Sequence, residues 1–126
     1  MRSVDTNVLV RLITRDDARQ AIAADTFIEA GAWVSLLALT ETLWVLDSTY
    51  GLTAPQLAVV VERLLDHKAL ILQDAAIVAA ALETFRAKPA LGFSDCLLLQ
   101  LATKAGHLPL GTFDRHLGKL EGTEKL

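Results

Sequence analysis

The chain has 126 residues, 52% of them hydrophobic, and a formal net charge of −3; that length supports one buried core, and the charge disfavours indiscriminate binding to nucleic acid. Its single cysteine, Cys96, excludes an intrachain disulfide and a cysteine-rich metal site, and fits a reducing compartment. The apolar content is high for so small a domain, so part of it either faces another chain or fills an Ala/Leu-rich helical core.

In chain order, Ser3-Val4 reads as a brief strand, followed by the polar trio Asp5-Thr6-Asn7 and a short helix over Val8–Ile13. Thr14 is the expected N-cap of a second helix, with Asp16 and Asp17 in its first turn, where the dipole favours acids, and with Gly31 as its stop. Ala32–Leu36 reads as a buried strand and Leu39–Tyr50 as a helix stopped by Gly51. Thr53 and Gln56 form a capping box with Pro55 between them, opening a helix with Leu57, Val60, Val61, Leu64 and Leu65 on one face.

Leu70–Leu72 reads as a third strand, and Asp74 as the cap of a helix that runs to Lys88 before Pro89. Ser94 is expected to start the next helix, ended by Gly106, and Leu108–Gly111 reads as a fourth strand. The tail Glu121–Leu126 adds an edge strand. Strands alternating with helices imply an α/β fold with a parallel sheet covered on both faces. No linker, repeat or low-complexity segment interrupts the chain, so residues 1–126 read as a single domain.

That order locates the charged residues. In open α/β sheets, ligands gather at the carboxyl ends of strands. Asp5 follows the first strand and Asp114 the fourth, while Glu41 and Asp95 fall in the early turns of helices that follow strands or loops at the same edge. All four acids are therefore expected to converge, each beside small hydroxyl or amide side chains: Thr6 and Asn7, Thr40 and Thr42, Ser94, Thr112. Taken one at a time, each acid is explained as well by an N-cap or an ordinary first-turn acid. Two carboxylates ~5 Å apart repel by roughly 3 kcal/mol at an effective dielectric of about 20, so a cluster of four needs protons or cations. Oxygen ligands without His or Cys suit Mg²⁺ or Mn²⁺, one ion or two. Such ions activate a water and stabilise the charge of a phosphodiester in transition.

VDTNVLVRL, TETLWVLDSTYGL, FSDCLLLQLATKAG and GTFDRHLGKL follow one another in the order of the PIN-domain motifs, and the whole chain resembles that family, in particular the VapC toxins of toxin–antitoxin pairs. The resemblance implies a three-layer α/β/α sandwich around a short, mainly parallel sheet. It also implies Mg²⁺- or Mn²⁺-dependent endoribonuclease activity, homodimerisation and neutralisation by a VapB-like antitoxin. Asp5, Glu41, Asp95 and Asp114 match the family's metal-site acids, and Asn7, Ser94 and Thr112 match positions that support them, with Thr6 beside them. Where many members carry a further acid after the last of these, Arg115 and His116 stand here.

An acidic site needs a cationic rim to accept RNA. Arg11, Arg15, Arg86, Lys88, Lys104, Arg115 and Lys119 are available, and Arg115, next to Asp114, is the expected phosphate contact. Trp33 and Trp44 could stack on bases, but a core position is the stronger reading for both, as it is for Cys96. Two other functions fit less well: a PIN-fold binding module that works through a protein partner without chemistry, and a DNA-directed metal nuclease. Met1 leads into a charged residue and a short strand, without a signal-peptide pattern or an apolar run long enough to span a bilayer. A cytoplasmic protein with no membrane contact is expected.

Overall fold

A computed structural model describes all residues 1–126 and divides them into two compact units, Met1–Ala75 and Ala76–Leu126. In the first unit, β1 (Arg2–Ser3), β2 (Ala32–Val34) and β3 (Leu70–Leu72) form a parallel sheet in the order β1-β2-β3. Ser3 pairs with Trp33, and Trp33 in turn with Ile71. Four helices accompany these strands: α1 (Thr6–Thr14), α2 (Ala18–Ile28), α3 (Leu36–Ser48) and α4 (Ala54–Asp66). The core of this unit is aliphatic, with Leu9, Val34, Leu39, Leu46 and Val61 fully enclosed.

α5 (Ala75–Ala87) leads into the second unit, which continues through α6 (Phe93–Ala105), β4 (Leu110–Thr112), a 3₁₀ turn (Leu117–Lys119) and β5 (Thr123–Lys125). β4 and β5 pair in parallel as a sheet of their own. Phe85 and Phe93 pack edge to face with centroids 5.9 Å apart, a favoured aromatic geometry. Short parallel strands alternating with helices match the expected α/β/α class.

Local chemistry explains where the elements stop. The Thr53–Gln56 capping box is complete: the Thr53 hydroxyl accepts from the Gln56 N–H, and the Gln56 side chain accepts from the Thr53 N–H. Gly106 ends α6 in the left-handed region at φ 78, where a Cβ is costly.

Several expected boundaries move. α2 is capped by Asp17, whose carboxylate accepts from the Gln20 N–H, and not by Thr14. Thr14 instead closes α1, its hydroxyl 2.8 Å from both the Val10 carbonyl and the Asp16 carboxylate. β2 ends at Val34 because the Ser35 hydroxyl accepts from the Ala38 N–H and starts α3 three residues earlier than its apolar pattern suggests. Ser94 lies inside α6; Gly92 occupies the N-cap and offers no side chain. β4 begins at Leu110, beyond Pro109, which has no N–H for a ladder. β4 also pairs only with β5, so Asp5 and Asp114 follow strands of two separate sheets and not of one.

The two tryptophans are corrected as well. Trp33 is 37% exposed and Trp44 69% exposed. Strand alternation turns Ala32 and Val34 inward and leaves Trp33 on the other face of β2. α3 is apolar nearly all round, so periodicity could not tell its buried side from the stripe that carries Leu37, Glu41 and Trp44 at helical spacing. Cys96 is buried as expected, and burial pushes its thiol up to about 11.

Thr53→Ala should lower stability by about 1 kcal/mol, the usual cost of losing a hydroxyl cap, and Thr53→Ser should restore most of it. Urea unfolding of the three proteins checks this: equal midpoints for Thr53→Ala and wild type would contradict it.

Candidate active site

In the first unit the site grows from the junction of β1 and α1. A helix begins with N–H groups that have no partner in the helix itself. Asp5, extended at φ −93 and ψ 178, fills the N-cap, and its Oδ1 accepts from the Val8 N–H at 3.0 Å. This cap puts Thr6 at the first helical position, where its hydroxyl donates to Glu41 Oε2 at 2.8 Å. Glu41 sits on the second turn of α3, and that hydrogen bond spans 35 positions of sequence. Asp5, Thr6 and Glu41 are thus ordered by one cap and one long-range contact.

Asn7 lies on the exposed first turn of α1. Together with Asp5 it borders a cavity of about 390 Å³ whose other walls include Val8, Arg11, Gln20 and Phe27. Arg11 is not a loose rim cation. Its Nε donates to Gln20 Oε1 at 2.5 Å, and its Nη1 donates to Asp16 Oδ1 at 3.1 Å and to the Tyr50 hydroxyl at 3.3 Å. The Tyr50 hydroxyl in turn donates to Asp16 Oδ2 at 2.6 Å. That hydroxyl, then Thr14 and Arg11, hold the Asp16 carboxyl below its usual range. Arg15 is likewise engaged, in a two-pronged pair with Asp25 at 3.0 and 2.7 Å. Both arginines leave the set of free cations. Tyr50 carries no sequence signal for this role, since it lies 34 positions from Asp16.

In the second unit, Asp95 is the third residue of α6 and is half-buried. Burial, and then the negative charge of Asp114, push its carboxyl above the usual range. Asp114 follows β4 and is exposed. Its Oδ1 accepts from the Leu117 N–H at 2.7 Å, capping the 3₁₀ turn, and its own N–H donates to Thr112 Oγ1 at 3.0 Å. The Leu117 N–H, more than any other group, holds the Asp114 carboxyl low. Of the two acids, Asp114 ionises readily and Asp95 resists. Ser94 is exposed and does not cap the helix, and Arg115 is exposed beside Asp114.

Each unit therefore orders a pair of the expected acids, Asp5 with Glu41 and Asp95 with Asp114. Within neither unit do three acidic, histidine or cysteine side chains stand close enough to enclose a cation. The donors nevertheless suit a hard divalent ion: they are carboxylates, one of them backed by a threonine hydroxyl, with no soft ligand among them. The repulsion that Asp95 feels from Asp114 is also what a cation would relieve.

The family model for the PIN domain matches residues 3–122. The chain belongs to the PIN domain family. PIN domains are in general Mg²⁺-dependent nucleases acting on nucleic acid, which agrees with the acidic, oxygen-only donor set. Comparison with curated proteins and with solved structures gave no match. No helix of this PIN domain is long and apolar enough to cross a membrane.

The Asp95 shift sets a pH dependence. Its native value lies above the unfolded value of about 3.9, so the native state holds more protons than the unfolded one between the two. Stability then falls as pH rises through that window. In EDTA, Asp95→Asn should unfold at a higher temperature than wild type at pH 7, with the gain fading as the pH drops below the unfolded value. Thermal melts across that range check this; a variant less stable than wild type at pH 7 would contradict it.

Proposed function

We propose that the protein is a metal-dependent endoribonuclease, the toxin of a toxin–antitoxin pair, built as one PIN domain over residues 1–126. What supports the reading is the oxygen-only acid set, Asp5 and Glu41 joined through Thr6 and Asp95 within repulsive reach of Asp114, in a chain whose PIN match runs over residues 3–122. On this reading Asp5, Glu41, Asp95 and Asp114 hold Mg²⁺ or Mn²⁺, one ion or two. When bound, the cation lowers the barrier by activating water and neutralising the charge that develops on the phosphodiester.

The protein's own groups prepare that chemistry. Asp5 spends one oxygen on the Val8 N–H and offers the other. The Thr6 hydroxyl fixes the rotamer of Glu41. The Leu117 N–H holds the Asp114 carboxylate in its ionised form, while Thr112 Oγ1 accepts from the Asp114 N–H and fixes the backbone there. Asn7 and Ser94 stand on the first turns beside these acids, and Arg115 serves as the phosphate contact. No pair of histidines stands among these residues to act as acid and base at a 2′-hydroxyl. Water is therefore the nucleophile and the 3′-oxygen the leaving group, which gives a 5′-phosphate and a 3′-hydroxyl.

The apolar surplus supports the partners in this reading, a second copy of the chain and a VapB-like antitoxin in the cytoplasm. The segments Thr14–Ala30 and Thr53–His67, whose helices are candidates for the self-contact, each leave a single large apolar side chain open, Ile22 and Val59. α3 leaves two, Leu37 and Trp44. A groove of about 330 Å³ has apolar walls of Leu12, Ile13, Val59, Val60 and Leu64 and a charged border that includes Arg15, Asp25 and Arg63, and offers an amphipathic segment a place to dock.

Asp5→Asn keeps an N-cap, because Asn caps as well as Asp, but removes a charge that binds the cation. It should lose at least ~10²-fold in cleavage rate, a few kcal/mol of transition-state stabilisation. Wild type, freed of any partner, should cut end-labelled single-stranded RNA in Mn²⁺, stop in EDTA, and leave 5′-phosphate ends. Cleavage that persists in EDTA, 2′,3′-cyclic phosphate ends, or an Asp5→Asn protein as active as wild type would each overturn the reading.

A further inference from the structure

We propose that the cleft between α1 and α2, beside Asp5, is a base-reading subsite that takes an unpaired guanine next to the bond being cut. The proposal rests on the nuclease reading and adds the choice of substrate at that same site.

The cleft measures about 390 Å³, within the range of small-ligand sites. It shares Asp5 and Asn7 with the candidate active site, so a nucleotide whose phosphate meets Asp5 brings its base to this opening. The walls are mostly apolar: Val8, Ala23, Ala24 and Phe27. They offer apolar surface to a planar ring, and the Arg2 guanidinium, 3.6 Å above the Phe27 centroid, covers one face of that side chain and holds it in place.

The polar groups in the cleft are few and oriented, as recognition requires. The Gln20 carbonyl oxygen accepts from Arg11 Nε, which turns the Gln20 amide so that its NH₂ group is the part left to offer. Arg11 itself is locked through Nη1 by Asp16 and Tyr50. A base edge entering here meets donors, from Arg11 Nη2 and from the Gln20 NH₂. Guanine presents two adjacent acceptors, O6 and N7, one for each donor group. Adenine and cytosine place an amino donor on that edge, which faces donors here and leaves them unpaired, at a cost. The locked Arg11 means the reader is preorganised and does not have to be ordered when the strand arrives.

The rest of the network gives this arrangement a purpose. The Arg11, Asp16, Tyr50 and Gln20 contacts join α1, α2 and the end of α3 at the rim of one cleft. A purely stabilising ion pair would not need the glutamine, whose amide reaches from an exposed position on the first turn of α2.

The test uses full-length protein in Mn²⁺ and a set of short single-stranded RNA oligonucleotides that differ only in one base beside the scissile bond. Wild type should favour guanine at one flanking position, by about tenfold to a hundredfold in kcat/KM over adenine at that position. Gln20→Leu, a change at an exposed helix position, should erase most of that preference. Ala23→Phe, which fills the cleft, should raise KM for the guanine substrate while circular dichroism shows the same fold. Cleavage by wild type with no base preference, or a preference unchanged in Gln20→Leu, would overturn the subsite and leave the nuclease reading standing. If wild type cuts none of the set, the nuclease reading falls, and fluorescence anisotropy with the same oligonucleotides decides the subsite. Tighter binding of the guanine strand that is lost in Gln20→Leu would support it, and equal binding of all strands would overturn it.

Discussion

The hydrogen bond from the Val8 N–H to Asp5 is the contact on which the first unit turns. β1 is only two residues long, so the chain passes from strand to helix within the polar trio that follows it. A helix start needs an oxygen at the N-cap. Asp5, exposed at the junction, supplies it and keeps its second oxygen open. Once α1 begins at Thr6, its first turn delivers a hydroxyl to Glu41, and its later turns deliver Arg11 to Gln20, Asp16 and Tyr50. The same helix therefore arranges an acidic corner and the wall of the adjoining cleft.

The second unit reaches a comparable end with different means. α6 starts at a glycine, with no side-chain cap, so the first-turn acid Asp95 stands without a competing bond at the helix start. Its carboxyl is pushed up by burial and by Asp114, while Asp114 is drawn down by the backbone of the 3₁₀ turn it caps. Two acids held apart in their readiness to ionise are a common mark of functional sites. The Val8 N–H orients Asp5, the Thr6 hydroxyl orients Glu41 and the Leu117 N–H orients Asp114, and each of these contacts leaves carboxylate oxygen for a hard cation.

Much of this was legible in the residues. The capping box at Thr53, the strand Leu70–Leu72 and the glycine stop at Gly106 depend on chemistry within a few positions, and the structure has them where they were expected. What was not legible depends on distance or on competition. Thr14 and Asp17 both qualify as caps, and the choice falls to Asp17 because the Thr14 hydroxyl is already taken up in α1. Trp44 was misplaced because α3 offers apolar residues to every side, so its pattern names no inner face. The Arg11, Asp16 and Tyr50 network joins residues up to 39 positions apart and could not be read from spacing at all. The acids themselves stood out only as a set, since each has an ordinary explanation when taken singly: Asp5 and Asp114 do cap their turns.

The central claim is that Asp5, Glu41, Asp95 and Asp114 bind divalent cation, one ion or two. Calorimetric titration of Mn²⁺ into wild type, Glu41→Gln and Asp95→Asn tests it most directly, because it needs no substrate. The claim predicts saturable binding to wild type and at least about tenfold weaker binding in each variant, a loss of ~1.4 kcal/mol or more apiece. Binding to wild type that neither substitution weakens would contradict it.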